Sequence, residues 1–216
     1  MRAGLKVAII LLGALALGAA AYKKGPSVYR DLYHKFHSSM VHLDPSFSLR
    51  EREETKYGVL HKTQCSLGTA LKSLDSKDKN IHYVIDEYGH VYPIVPNSCV
   101  ANHTGYAMWN GDIDRMRSLN RLTVGIEFVG ENGHSLTERQ YETGRELIDR
   151  LGQAYDIPDS CWLSHHRIGF SPSTNRRGRT EDWKSMTDGE RSRLGLHDRW
   201  DDDPDVRDGR LSPIDE

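Results

Sequence analysis

Two histidines close short apolar runs: His61 ends Tyr57-Gly58-Val59-Leu60-His61, and His165 follows Cys161-Trp162-Leu163-Ser164. Runs of this kind suit buried strands, and a side chain at a strand end stands on stiff backbone. Imidazoles held that way fit a preorganised metal site. A catalytic zinc needs about three protein ligands and one open position, and carboxylates follow at Glu181 and Asp182. From spacing alone the other reading stays open, because a histidine at a strand end also serves as a polar cap or a satisfied neutral residue. The chain has 11 His among 216 residues, which directs attention to metal or acid–base chemistry.

The remaining histidines carry less. His34, His37 and His42 share a face with no acidic or cysteine partner and read as solvated. His82 alternates with Tyr83 along a strand and reads as structural or as a groove wall. His166 is expected to point away from the metal, since adjacent strand residues face opposite sides. Cys65, Cys99 and Cys161 lack any CxxC spacing, so zinc binding through them is not expected. Either one pair oxidises or all three stay thiols.

The surrounding pattern supplies the scaffold. Leu67, Ala70, Leu71 and Leu74 follow helical spacing. His82–Asp86 and His90–Ile94 flank Glu87-Tyr88-Gly89 as a hairpin. Leu122–Val129 is strand-like and is closed by a turn at Gly130-Glu131-Asn132-Gly133. Thr137 and Gln140 form a capping-box signature. The helix they open carries the apolar stripe Tyr141, Leu147, Ile148, Leu151, Ala154 and Tyr155. The expected fold is α/β (α+β): one domain with a central mixed β-sheet flanked by helices.

The domain layout is expected as follows: residues 1–24 a signal peptide or signal-anchor helix, 25–54 a tether, 55–186 the catalytic domain, and 187–216 a C-terminal helix and acidic tail. A basic start precedes the apolar run Val7–Ala21, too short for a full span of ~20 residues yet sufficient for export. An exported protein tethered to the cytoplasmic membrane, or periplasmic, is the reading. There is no cysteine near residue 20 to carry a lipid. The Asp201–Asp205 stretch has Val206 where a calcium loop needs Gly, so it reads as a solvated acidic tail. Lys and Arg total 29 against 31 Asp and Glu, a net of −2, which argues against nucleic acid as a partner.

Several segments, in order, resemble the type 2 N-acetylmuramoyl-L-alanine amidases, a superfamily shared with amidase-type phage lysozymes and peptidoglycan recognition proteins. Gly58-Val59-Leu60-His61-Lys62-Thr63 is similar to the strand ending in a zinc-binding His. Ile81–Tyr92 resembles the second strand and hairpin. Ala101-Asn102-His103-Thr104-Gly105, with Trp109-Asn110-Gly111, resembles the substrate-groove loop. Thr123-Val124-Gly125-Ile126-Glu127 is similar to the strand carrying a catalytic Glu, and Leu163-Ser164-His165-His166-Arg167-Ile168 to the strand end carrying the second zinc His.

The resemblance implies one Zn²⁺ held by His61, His165 and Asp182, with Glu181 as the alternative third ligand. It implies catalytic roles for Glu127 and Thr180, and substrate contacts at His103 and Trp109. Asp182 lies 17 residues after His165, where the family usually has about ten, and Trp183 replaces the family's Pro. The expected partner is peptidoglycan, cut at the amide between N-acetylmuramic acid and L-alanine. A monomeric exported endolysin or wall-remodelling enzyme fits, as against a non-catalytic recognition protein on the same fold.

Overall fold

The two longest strands have the sequences YGVLHKT and TVGIEFV, in which Val, Ile, Leu, Phe and Tyr recur with no charge until the final residues. Such strands are buried on both faces and suit a parallel sheet covered by helices. In the computed structural model, which describes residues 50–74, 78–130, 135–178, 186–196 and 203–213, they are β1 (Tyr57–Thr63) and β4 (Thr123–Val129). They pair in parallel over their full length, from Tyr57 opposite Thr123 to Thr63 opposite Val129. With β2 (Tyr83–Ile85), β3 (Val91–Pro93) and β5 (Trp162–Ser164) they form a five-stranded sheet of order β3-β2-β4-β1-β5. Only β3 runs antiparallel, as the outer arm of the expected hairpin. The sheet is mixed, as its sequence pattern implies.

Helices cover both faces. The long helix α2 (Glu138–Tyr155) lays Tyr141, Leu147, Ile148 and Leu151 against Leu60, Ile126, Phe128 and Trp162. On the opposite face α1 (Leu67–Leu74) packs Ala70 and Leu74 with Ile81, Val84 and Val129. The capping box of Thr137 and Gln140 forms at the start of α2. Gln140 does more than cap: its amide donates to the Val129 carbonyl (2.7 Å) and the Ile85 carbonyl (3.3 Å), locking the helix to the ends of β4 and β2. Gly58 is needed for closeness, since a methyl there would stand 2.0 Å from the Trp162 ring.

Beyond the main sheet, β6 (Phe170–Ser171) and β7 (Arg176–Arg177) pair antiparallel, with Asn175 turning at φ 54°. Two expectations need correction. Residues 50–54 are not tether. Arg52 is buried, donates to the carbonyls of Thr123 (2.5 Å) and Asn97, and lies over the Tyr155 ring, so the fold already includes it. The acidic tail is not solvated in its described part, because Arg177 gives Asp203 and Asp205 a buried partner. Arg177 Nε donates to Asp203 (2.6 Å) and Nη2 to Asp205 (2.7 Å), and Asp205 is wholly buried. The C-terminal helices α4 (Asp188–Arg193) and α5 (Pro204–Arg207) thus belong to the folded body. Residues 1–49, with the proposed export helix, lie outside the described residues. Among the described residues no helix is long and apolar enough to cross a membrane.

Candidate active site

Side chains alternate along a strand, so Thr123, Gly125 and Glu127 of β4 share one face, and His61 of β1 stands in register with Glu127. His165 opens a short helix, α3 (His165–Ile168), where β5 ends. His61, Glu127 and His165 lie toward the carboxyl ends of parallel strands, where open α/β sheets place their ligand crevices. There they border a cavity of about 410 Å³ whose wall also includes His103, His166 and Lys62. The His61 and His165 rings are 4.5 Å apart between centroids and tilted by 32°.

Each imidazole is tied from behind. His165 Nε2 lies 2.9 Å from the Thr104 carbonyl, which can only accept, so Nε2 carries the proton and Nδ1 the lone pair. His61 Nε2 lies 2.9 Å from His103 Nδ1, and His103 Nε2 lies 3.0 Å from Thr123 Oγ1. The loop that presents His103 and Thr104 is itself fixed by Asn120. Its Oδ1 accepts from the His103 amide (3.0 Å), the Thr104 amide (2.9 Å) and the Thr104 hydroxyl (3.0 Å).

Behind these groups His82 is structural, as expected. Its Nδ1 accepts from the Gly125 amide (3.0 Å) and its Nε2 donates to the Cys99 carbonyl (3.1 Å). Burial, then the Arg52 charge and His103, hold His82 well below the ordinary imidazole value. Burial, then His165 and Arg52, push His103 down to about 3. Neither ring charges at neutral pH.

The donor chemistry of this pair fits a zinc ion. Two imidazoles sit side by side, and His165 has its proton on the nitrogen that meets the protein, an arrangement typical of ligating histidines. Among the described residues no group of three His, Cys, Asp or Glu side chains is placed to hold a metal. The expected third ligand Asp182, its alternative Glu181, and Thr180 all lie outside the described residues.

The structure brings together His61, His103, Glu127 and His165, but not Trp109. That ring does not border the cavity; it packs beside Tyr57 and Leu119, with the Arg177 guanidinium 5.7 Å above it. Residues 165 and 166 begin a helical turn, where neighbours diverge by about 100°, and His166 also lines the cavity. Thr104, Asn120 and Thr123 were not legible as site residues, since each works through a contact distant in sequence. Gly125 did carry a signal, as a glycine inside an apolar strand marks a close approach. The three cysteines are thiols.

Imidazoles and a carboxylate thus gather at the carboxyl ends of the strands of a mixed, helix-covered sheet. The family of N-acetylmuramoyl-L-alanine amidases matches residues 51–184, well over half of the chain. The chain belongs to this family.

Solved structures share the fold. The E. coli amidase AmiD, in complex with anhydro-N-acetylmuramic acid-L-Ala-D-gamma-Glu-L-Lys, has a TM-score of 0.53 at 18% identity, over 72% of this chain and 62% of that one. AmpDh3 from Pseudomonas aeruginosa, in complex with anhydromuramic pentapeptide, has a TM-score of 0.52 at 18% identity, over 73% of this chain and 68% of that one. The present chain thus spans under two thirds of the AmiD length. No curated protein matches significantly.

Proposed function

We propose that this amidase is a zinc-dependent peptidoglycan hydrolase that cuts the amide joining the lactyl group of N-acetylmuramic acid to L-alanine. The observation that carries the reading is the His61–His165 pair with Glu127 in register beside it, all in one cavity. His61, His165 and Asp182 would hold one zinc ion. When bound, zinc supplies a Lewis acid for the amide carbonyl and lowers the pKa of water toward ~7. The protein's own groups do the rest.

Glu127 takes a proton from the attacking water and returns it to the departing L-alanine nitrogen. The bond formed is oxygen to carbonyl carbon, and the bond broken is carbon to nitrogen. The products are a lactyl carboxylate and a free L-alanine amino terminus. Thr180 helps hold the charge that develops on the carbonyl oxygen. Residues 7–21 export the protein and meet the membrane, so that the domain faces the cell wall as an endolysin or a wall-remodelling enzyme.

The test is digestion of purified peptidoglycan. Release of L-alanine amino termini, abolished by a chelator and restored by zinc, is the expected result. Full activity after exhaustive metal removal would overturn the zinc reading, and cell fractionation that leaves the chain in the cytosol would overturn export.

A further inference from the structure

Resting on the zinc reading, we infer that His103 is a positioning residue for His61, and that the adjacent residues His103 and Thr104 together orient both zinc-binding imidazoles. His103 is enclosed on three sides. His61 Nε2 meets its Nδ1 at 2.9 Å, Thr123 Oγ1 meets its Nε2 at 3.0 Å, and Gly125 lies beneath the ring. A methyl at Gly125 would stand 2.7 Å from both Cε1 and Nδ1 of His103, so the glycine is a hollow for this ring. Only 9% of His103 is exposed, which is little for a substrate contact.

The chain of contacts runs in one of two directions, because a neutral imidazole has one N–H and one lone pair. In the first, His61 donates Nε2–H to His103 Nδ1, and His103 donates Nε2–H to Thr123 Oγ1. His61 then has its lone pair on Nδ1, where a metal can take it. In the second, Thr123 donates to His103 and His103 to His61, which places the proton on His61 Nδ1 and removes its ligating atom. Only the first direction is compatible with zinc. It also presents His61 through the same ring atom as His165, whose Nε2–H is committed to the Thr104 carbonyl.

Both outer partners therefore come from consecutive residues, and one side chain sets the position of both. Asn120 Oδ1 receives both of their backbone amides and the Thr104 hydroxyl. Outer partners of ligating histidines typically change metal affinity by about 10- to 100-fold when removed.

The experiment measures zinc affinity of the full chain by competition with a chromophoric chelator, beside KM and kcat on a soluble muramyl-peptide. His103→Leu should bind zinc about 10- to 100-fold more weakly. His103→Gln, whose side-chain oxygen can still accept from His61, should recover most of that loss. Gly125→Ala, which removes no polar group, should weaken zinc in the same direction as His103→Leu. Should His103→Leu not fold, Thr123→Val removes a single hydroxyl and should still weaken zinc measurably. Wild-type zinc affinity in these variants with a raised KM alone would overturn the inference and make His103 a substrate contact. Zinc affinity unmoved by His61→Ala and His165→Ala would instead overturn the zinc reading itself.

Discussion

Lys62 and Glu190 form a buried ion pair one residue beyond His61, with Lys62 Nζ 2.9 Å and 3.2 Å from the two carboxylate oxygens. The side chains are 7% and 4% exposed. Glu190 is also the third residue of the capping box that begins α4, accepting from the Thr187 amide at 2.8 Å. The pair thus joins the strand that presents His61 to the helix that follows residues 179–185, where Thr180 and Asp182 lie. At the other end of that segment stands Arg177, held by Asp203 and Asp205.

Breaking the Lys62–Glu190 pair from one side strands a buried charge. Glu190→Leu should therefore lower the free energy of unfolding by about 3–5 kcal/mol, while Lys62→Met with Glu190→Leu should recover much of it. Urea unfolding of the two variants and the parent decides. If the double variant is no more stable than Glu190→Leu, desolvation of the lone charge is not the cause.

The C-terminal acidic residues make a second anchor. Asp205 accepts from the Gly111 amide, Arg177 Nη2 and Arg210 Nε, each at 2.7 Å. Asp205→Ala takes the acceptor from all three donors at once and should destabilise the fold by about 3–5 kcal/mol. Proteolysis of the 105–116 loop should accelerate in parallel, because Gly111 loses its tie to α5. A variant with wild-type stability and wild-type cleavage there would show that the C-terminal segment is dispensable.

The sheet was legible because its strands carry unbroken apolar runs and its long helix carries both a stripe and a capping box. His61, His165 and Glu127 were legible as candidates from their types and from resemblance to a family. What the sequence hid is what depends on distant pairing. Asp203 and Asp205 look like tail residues until Arg177, which is far from them in sequence, is seen beside them. The Arg177 guanidinium over the Trp109 ring was likewise out of reach of a sequence reading. That both ring nitrogens of His103 are engaged was hidden too, since His61 and Thr123 are both distant from it in sequence.

Glu127 is assigned proton transfer and not metal binding, and the two roles separate on substitution. Glu127→Gln should reduce kcat by about 10²- to 10⁴-fold with KM and zinc content near those of the parent. Atomic absorption on the purified variant checks the second half. Loss of zinc along with activity would make Glu127 a ligand and leave the proton carrier to be sought elsewhere.

The buried His82 gives the fold a pH dependence of known sign. An unfolded His82 takes up a proton as pH falls through about 6.5. In the fold, burial and the Arg52 charge prevent that until well below this value. Over that window the unfolded chain binds more protons than the native one, so stability is lost as pH falls. The contribution should approach about 1.4 kcal/mol per pH unit below 6.5, and level off above it. Urea midpoints taken from pH 7.5 to pH 5 measure the slope. His82→Gln should reduce the slope but not abolish it, because His103, held down to about 3, contributes with the same sign. An unchanged slope would mean that the loss of stability comes from other groups.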